Sequence, residues 1–219
     1  MNDVAKVIDI VEKYVKRFRE PIVTKVSRER DPYKVLVSCI LSLRTRDETT
    51  ARITEMLFEK AQTPEEMASL SERDIEKIIR PVNYYKGKAR NIRKISEMLV
   101  SKYNSKVPDS LEELLRLPGV GRKTANIVVV FGFDKYGMPI DTHCHRIPNR
   151  LGWVSTRTPE QTETELRKLI PKSHWKKFND VFVTFGQNVC KPIRPLCWQC
   201  PVINYCVYND KTPAPGRTK

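Results

Sequence analysis

The sequence predicts an all-α protein, and three observations carry that prediction. Apolar residues recur at the three- and four-residue spacing of a helix face in one segment after another. Helix-opening signals stand in front of these segments: Asp31-Pro32, Thr63-Pro64-Glu65-Glu66, Ser110 with Glu113, Asp141-Thr142, and Thr158-Pro159-Glu160-Gln161. No stretch shows convincing strand alternation, and no repeat period is visible, so the chain reads as roughly ten short helices.

Composition sets the frame. A chain of 219 residues makes one large domain or two small ones, and with 40% hydrophobic residues it can bury a core. The apolar run Val35–Leu43 falls far short of the ~20 residues needed to cross a bilayer, so no membrane association is expected. The opening MNDVAKVIDI has no basic segment followed by a long apolar one. No signal peptide is expected, and the location expected is intracellular, cytoplasmic or nucleoid. The formal charge is +14, from 40 basic and 26 acidic residues. Such a surplus points to a polyanion partner such as nucleic acid, with a generally basic soluble surface as the plain alternative. The basic residues are spread along the whole chain, which fits a folded basic face better than a disordered arm.

In order, Asp3 to Phe18 reads as an amphipathic helix with Val4, Val7, Ile8, Val11, Tyr14, Val15 and Phe18 on one side, ended by Pro21. Asp31-Pro32 is an N-cap with proline at the first helical position. The helix that follows, through Leu43, is apolar nearly all round; a strand competes there because Val35-Leu36-Val37 is β-prone. After the polar Arg44-Thr45-Arg46-Asp47 comes a helix carrying Ile53, Met56 and Leu57. A capping box opens another at Thr63, and Ser71 opens one that stops at Pro81. Asn83–Lys88 reads as a basic, aromatic loop, and Ile92, Ile95, Leu99 and Tyr103 mark the helix after it.

The stretch Ser110–Asp141 organises the chain. Ser110 starts a helix with Leu111, Leu114 and Leu115 on its apolar face, and Pro118-Gly119 stops it. Gly119 and Gly121 bracket a turn that favours small residues. From Arg122 the pattern is helical again, with Ala125 and Ile127–Val130 as a buried run. The unit is helix, glycine hairpin, helix. The free N–H groups at Gly121-Arg122 carry about half a positive charge and suit a phosphate. Lys123 lies in that first turn, where nearby positive charge is expected to lower its pKa and make it a nucleophile. The plainer reading is a loop between core helices with a surface lysine on it.

Beyond it, Asp141-Thr142 caps a helix reaching about Leu151. Thr158 caps one with Leu166, Leu169 and Ile170 on one face, and a last helix runs to about Phe185 and ends at Gly186. Cys190, Cys197, Cys200 and Cys206 follow with the spacing C-x6-C-x2-C-x5-C. In an intracellular chain four close thiolates mean a metal site, and spacing alone leaves zinc and iron–sulfur both open. Cys39 reads as a small buried hydrophobe and Cys144 as ordinary helix packing. His143, His145 and His174 have no paired ligand spacing with the cysteines and read as structural groups or phosphate neighbours.

Leu117–Ala125 (LPGVGRKTA), followed by Ile140–His143 (IDTH), resembles the helix-hairpin-helix DNA glycosylase superfamily. With the cysteine tail, the chain resembles its endonuclease III branch from about Arg30 to Cys206. The resemblance implies a six-helix domain holding the helix-hairpin-helix (25–135) and a discontinuous helical domain (1–24 and 136–219), with the DNA cleft between them. It implies that Cys190, Cys197, Cys200 and Cys206 bind a [4Fe-4S] cluster, that Lys123 is the nucleophile and that Asp141 is the catalytic carboxylate. The expected activity is that of a bifunctional DNA glycosylase and AP lyase, a monomer acting on duplex DNA with oxidised pyrimidines or abasic sites. Gly119, Gly121 and Arg122 of the hairpin, and Lys191 and Arg194 of the cysteine loop, are expected to contact DNA. Tyr84 stands where the family places a wedge residue. Arg44 stands where a glutamine often fills the gap left by the flipped base, a departure that bears on lesion choice and opposite-strand reading. The alternatives are a G·T or G·U mismatch glycosylase of the same superfamily, against which Lys123 speaks, and a non-catalytic helix-hairpin-helix DNA-binding protein.

Overall fold

The computed structural model describes residues 4–18 and 31–216. The described residues form helices joined by turns, followed after Asn188 by an irregular stretch with two short 3-10 turns, with no strand among them. The fold is all-α, as the sequence predicts. In chain order the helices are α1 (Val4–Val15), α2 (Pro32–Ser42), α3 (Asp47–Phe58), α4 (Pro64–Ser69), α5 (Glu72–Ile79), α6 (Tyr85–Lys102), α7 (Leu111–Leu114), α8 (Arg122–Ile127), α9 (Thr142–Leu151), α10 (Pro159–Leu169) and α11 (Trp175–Asn188). The chain divides into two compact units, Met1–Pro21 with Tyr136–Lys219, and Ile22–Lys135. Each has a hydrophobic core of its own. Pro21 and the expected boundary at residues 24 and 25 lie outside the described residues.

In the unit Ile22–Lys135, α2 is the central rod. Asp31 Oδ1 accepts the N–H groups of Tyr33 at 2.8 Å and Lys34 at 3.2 Å, and Pro32 takes the first turn. Helix therefore wins over strand at Val35–Val37. Burying each such side chain contributes about 1.5–3 kcal/mol, against a helix-propensity cost of under about 1 kcal/mol per β-branched residue. Residues Val35 to Leu41 are all buried. Helices α3, α6 and α8 pack on α2, and Gly132 lets the chain after α8 lie close against Pro32. The expected caps form: Thr63 and Glu66 make a reciprocal capping box, and the Ser71 hydroxyl accepts from Asp74 N.

Two expectations change here. Lys86, Gly87 and Lys88 belong to the first turn of α6, not to a loop, because the buried stripe of Ala89, Ile92, Ile95 and Leu99 extends back to take in Lys88. A lysine reads as solvent-facing in sequence, yet its methylene stem packs well inside. Helix α7 is only one turn long, so Leu115 falls off its apolar face and is 40% exposed; Leu114 and Leu117 are buried instead. Beyond it, Ala125 and Ile127–Val130 are buried as expected, and Thr124 and Asn126 are buried with them, with α8 widening into a π-helical turn at Val128–Gly132.

In the other unit, α11 packs against α1 and α9. Phe178 and Phe182 stack at 4.3 Å in its core, and Trp153 meets Phe182 edge-on at 5.7 Å. Helix α11 does not stop at Gly186. That glycine is buried inside it, where a Cβ would overlap the His143 side chain, so its role is close approach and not termination. On α10, Leu166 is buried while Leu169 is 42% exposed.

Candidate functional site

The hairpin closes through Val120 N donating to Leu117 O at 3.2 Å. Gly119 sits at φ +76°, and a Cβ there would overlap the Asn91 side chain of α6, so the turn demands glycine twice over. Gly121 differs from expectation: its φ of −91° is open to any residue, and a Cβ would meet nothing within 4 Å. It is the N-cap of α8 without a side-chain cap bond. Its missing side chain leaves the helix N-terminus approachable. Arg122 and Lys123, in the first turn, are exposed.

The charge of Lys123 is felt on two other helices of the unit. Partial burial raises the pKa of Asp47, at the start of α3, and the Lys123 ammonium opposes the rise. Burial pushes the Cys39 thiol on α2 up to about 12, again with Lys123 opposing. Cys39 is 1% exposed, the buried small hydrophobe its sequence context predicts. Asp47 is the acidic neighbour that sequence reading passed over; its signal is an aspartate closing the polar run after the buried α2.

Arg44 and Tyr84 lie together at the surface. Both are non-glycine residues in the left-handed region, at φ +56° and +58°, which costs about 1–2 kcal/mol each. Arg44 Nη1 donates to Tyr84 Oη at 3.3 Å, and its guanidinium lies 5.7 Å from the ring centroid. The Asn83 side-chain amide donates to the Arg44 carbonyl.

Asp141, half-buried, caps α9: its Oδ1 accepts from His143 N at 2.9 Å and Cys144 N at 2.8 Å. One carboxylate oxygen thus serves both N–H groups. His143 and His145 have hydrogen-bonding protein partners, whereas the buried Nδ1 of His174 makes no hydrogen bond among the described residues. His143 Nδ1 meets Arg146 at 3.0 Å, His145 Nδ1 meets Thr162 Oγ1 at 2.6 Å, and His174 lies 3.8 Å from Asp9. Cys144 is fully buried beside Asn179.

The four C-terminal cysteines line one cavity, with Ile147, Leu151, Phe185 and Val202 around them. Burial pushes the Cys200 thiol up to about 12, and the charges of Cys190, Cys206 and Cys197 add to the rise. The donor set is purely thiol, without an acid or imidazole. Among the described residues no group of three or more His, Cys, Asp or Glu is arranged to hold a metal ion. An all-thiolate donor set around one cavity is of the kind that ligates iron–sulfur clusters and structural zinc alike.

The loop from Cys190 to Cys197 is held by two arginines of α9 that sequence reading missed. Arg146 donates to Cys190 O at 2.6 Å. Arg150 donates to Lys191 O at 2.7 Å and Pro192 O at 2.9 Å, and it reaches Cys190 Sγ at 3.5 Å. Their i, i+4 spacing, which places them on one helix face, is the signal that could have found them. Within this loop Lys191 is half-buried, whereas Arg194 is exposed at φ +50°.

The chain matches the HhH-GPD superfamily of base excision DNA repair proteins over residues 37–172. It is 49% identical over 200 residues to the endonuclease III of Thermotoga maritima, covering 91% of this chain and 92% of that protein. A solved structure of an endonuclease III–DNA covalent intermediate, trapped as an estranged-adenine complex, superposes with a TM-score of 0.77 at 38% identity, over 81% of this chain and 84% of its own. A thermostable thymine-DNA glycosylase shares the fold, with a TM-score of 0.81 at 23% identity over 92% of this chain and 94% of its own. A superfamily match that takes in the hairpin, joined to a relative similar along nearly its full length, places this chain in the endonuclease III branch of the HhH-GPD base excision DNA repair proteins.

Proposed function

We infer that this protein is a base-excision DNA glycosylase and AP lyase that acts, as a monomer, on oxidised pyrimidines and abasic sites in duplex DNA. The observation that carries the reading is Lys123: an exposed amine in the first turn after the glycine hairpin, in a family of which one member has been caught covalently joined to DNA.

A base inside the stack is out of reach, so the damaged nucleotide is first flipped out, at a cost of a few kcal/mol. The unprotonated Lys123 Nζ then attacks the sugar C1′. The C1′–N bond breaks, and the base leaves with the electron pair and takes up a proton. Asp141 is assigned two roles: it accepts a proton from the attacking amine and offsets the positive charge that develops on the sugar. Opening of the sugar ring gives a Schiff base, which only a primary amine can form. Loss of a C2′ proton then expels the 3′ phosphate and cuts the strand 3′ to the lesion.

Gly119, Gly121 and Arg122 suit a phosphate of the bound strand, and Lys191 and Arg194 suit another. Tyr84 and Arg44 are the groups assigned to enter the duplex, where an aromatic ring stacks on an unpaired base. Cys190, Cys197, Cys200 and Cys206 would hold a [4Fe-4S] cluster, which supplies a cross-link fixing the shape of the Cys190–Cys197 loop. The formal charge of +14 favours the polyanion throughout.

Borohydride trapping tests the reading. The native protein is expected to form a covalent adduct on abasic and thymine-glycol duplexes, whereas Lys123→Gln forms none, no longer nicks DNA and still binds it. Absence of a native adduct would sink the lyase assignment, and base release without an adduct would point to the monofunctional mismatch class. Unchanged incision by Lys123→Gln would remove Lys123 as the nucleophile.

A further inference from the structure

We propose that Lys88 is a positioning residue for DNA engagement: its buried ammonium fastens the turn carrying Arg44 to the helix start carrying Tyr84, so that the two tips meet DNA as one preformed unit. The proposal rests on the DNA-repair reading above and adds to it a residue that touches neither DNA nor the reacting atoms.

The geometry is specific. Lys88 is 6% exposed. Its ammonium has three hydrogens and finds three acceptors: Leu41 O at 2.8 Å, Leu43 O at 2.6 Å and Thr45 Oγ1 at 3.1 Å. All three belong to the end of α2 and the turn after it, where helix carbonyls lack intrahelical partners and the dipole is negative. Leu43 and Thr45 flank Arg44 on either side. The Lys88 backbone N–H, in turn, donates to the Tyr84 carbonyl at 3.2 Å. One residue therefore ties the two strained positions together, gripping the residues on either side of Arg44 with its side chain and Tyr84 with its main chain.

Asn83 adds a second tie, from its side chain to the Arg44 carbonyl, and the Arg44–Tyr84 contact closes the ring. Left-handed conformations of non-glycine residues persist only where their surroundings over-determine them. Here the surroundings are Lys88 and Asn83. What they hold up is a guanidinium beside a 68% exposed tyrosine ring, a pair suited to stacking on unpaired bases. A lysine that merely filled the core would need neither three aimed hydrogen bonds nor two strained neighbours.

A double-mutant cycle on the full chain tests the proposal. Binding is measured by fluorescence anisotropy on a duplex carrying a tetrahydrofuran abasic analogue, which cannot be cleaved. Lys88→Met is expected to raise Kd about tenfold in the native background, but only about twofold when Arg44 and Tyr84 are both alanine. Asn83→Ala, at an exposed residue, is expected to raise Kd about threefold with the same dependence on background, and it carries the test if Lys88→Met fails to fold. Equal losses in both backgrounds, or no loss in the native one, would overturn the positioning role and leave the repair activity standing. A native protein with no preference for the analogue over undamaged duplex would sink the repair reading and this inference together.

Discussion

The carboxylate of Asp141 accepts the backbone N–H of Cys144 at 2.8 Å, and the same oxygen takes that of His143. The cap is separable from the catalytic role proposed for this residue, because asparagine caps a helix about as well as aspartate does. Asp141→Asn is expected to melt close to the native protein. Asp141→Ala should lose about 1 kcal/mol, a drop of about 2–4 °C in Tm for a chain of this size. Both should lose base excision by about a hundredfold or more in single-turnover assays. A fully active asparagine variant would reduce Asp141 to a cap.

The Asp47 carboxyl senses the charge of Lys123. The folded pKa of Asp47 lies above the ordinary 3.8, so the native state binds its proton more tightly than the unfolded chain does. Stability from this group therefore falls as pH rises from 3.8 through the folded pKa, and the cost is fully present above it. Lys123 reduces that cost. In Lys123→Gln the Asp47 carboxyl is expected to titrate at still higher pH, as read from carbon-13 carboxyl shifts. An unmoved midpoint would show that the amine does not act on α3.

The two hairpin glycines should behave oppositely. Gly119→Ala forces a side chain into a left-handed position, at about 1 kcal/mol, and into the Asn91 side chain besides. Gly121→Ala meets open space at an ordinary φ and should stay within about 0.5 kcal/mol of native in denaturant unfolding. Its methyl group nevertheless stands at the helix N-terminus where a phosphate would sit, so DNA affinity should fall severalfold. Equal stability losses for the two variants would contradict this reading of the turn.

The cysteines divide by environment. Cys39 and Cys144 are buried, and burial holds the Cys39 thiol high, at about 12. Neither should react with iodoacetamide in the folded protein. The native protein should be brown, and after the cluster is removed Cys190, Cys197, Cys200 and Cys206 should label first, with the loop loosened and DNA affinity reduced. A colourless protein with stoichiometric zinc would overturn the cluster assignment.

Much of this protein is legible in its sequence because the signals are local. Asp31, Thr63, Ser71, Ser110, Asp141 and Thr158 each cap the helix expected of them, since a cap joins a side chain to N–H groups two or three residues on. The helix-hairpin-helix and the cysteine register are equally compact in the chain. Tertiary structure decided what depends on distant partners. Lys88 is buried because carbonyls 47 and 45 residues away surround its ammonium. Arg150, half-buried, turns inward to a carbonyl 41 residues away, and Gly186 lies within the last turn of α11, where the His143 ring leaves no room for a Cβ. A lysine, an arginine and a glycine look polar, charged and helix-breaking in isolation. Once folding supplies acceptors for the charges and a neighbour that leaves no room for a Cβ, the lysine and the glycine become part of the interior and the arginine is drawn partly into it.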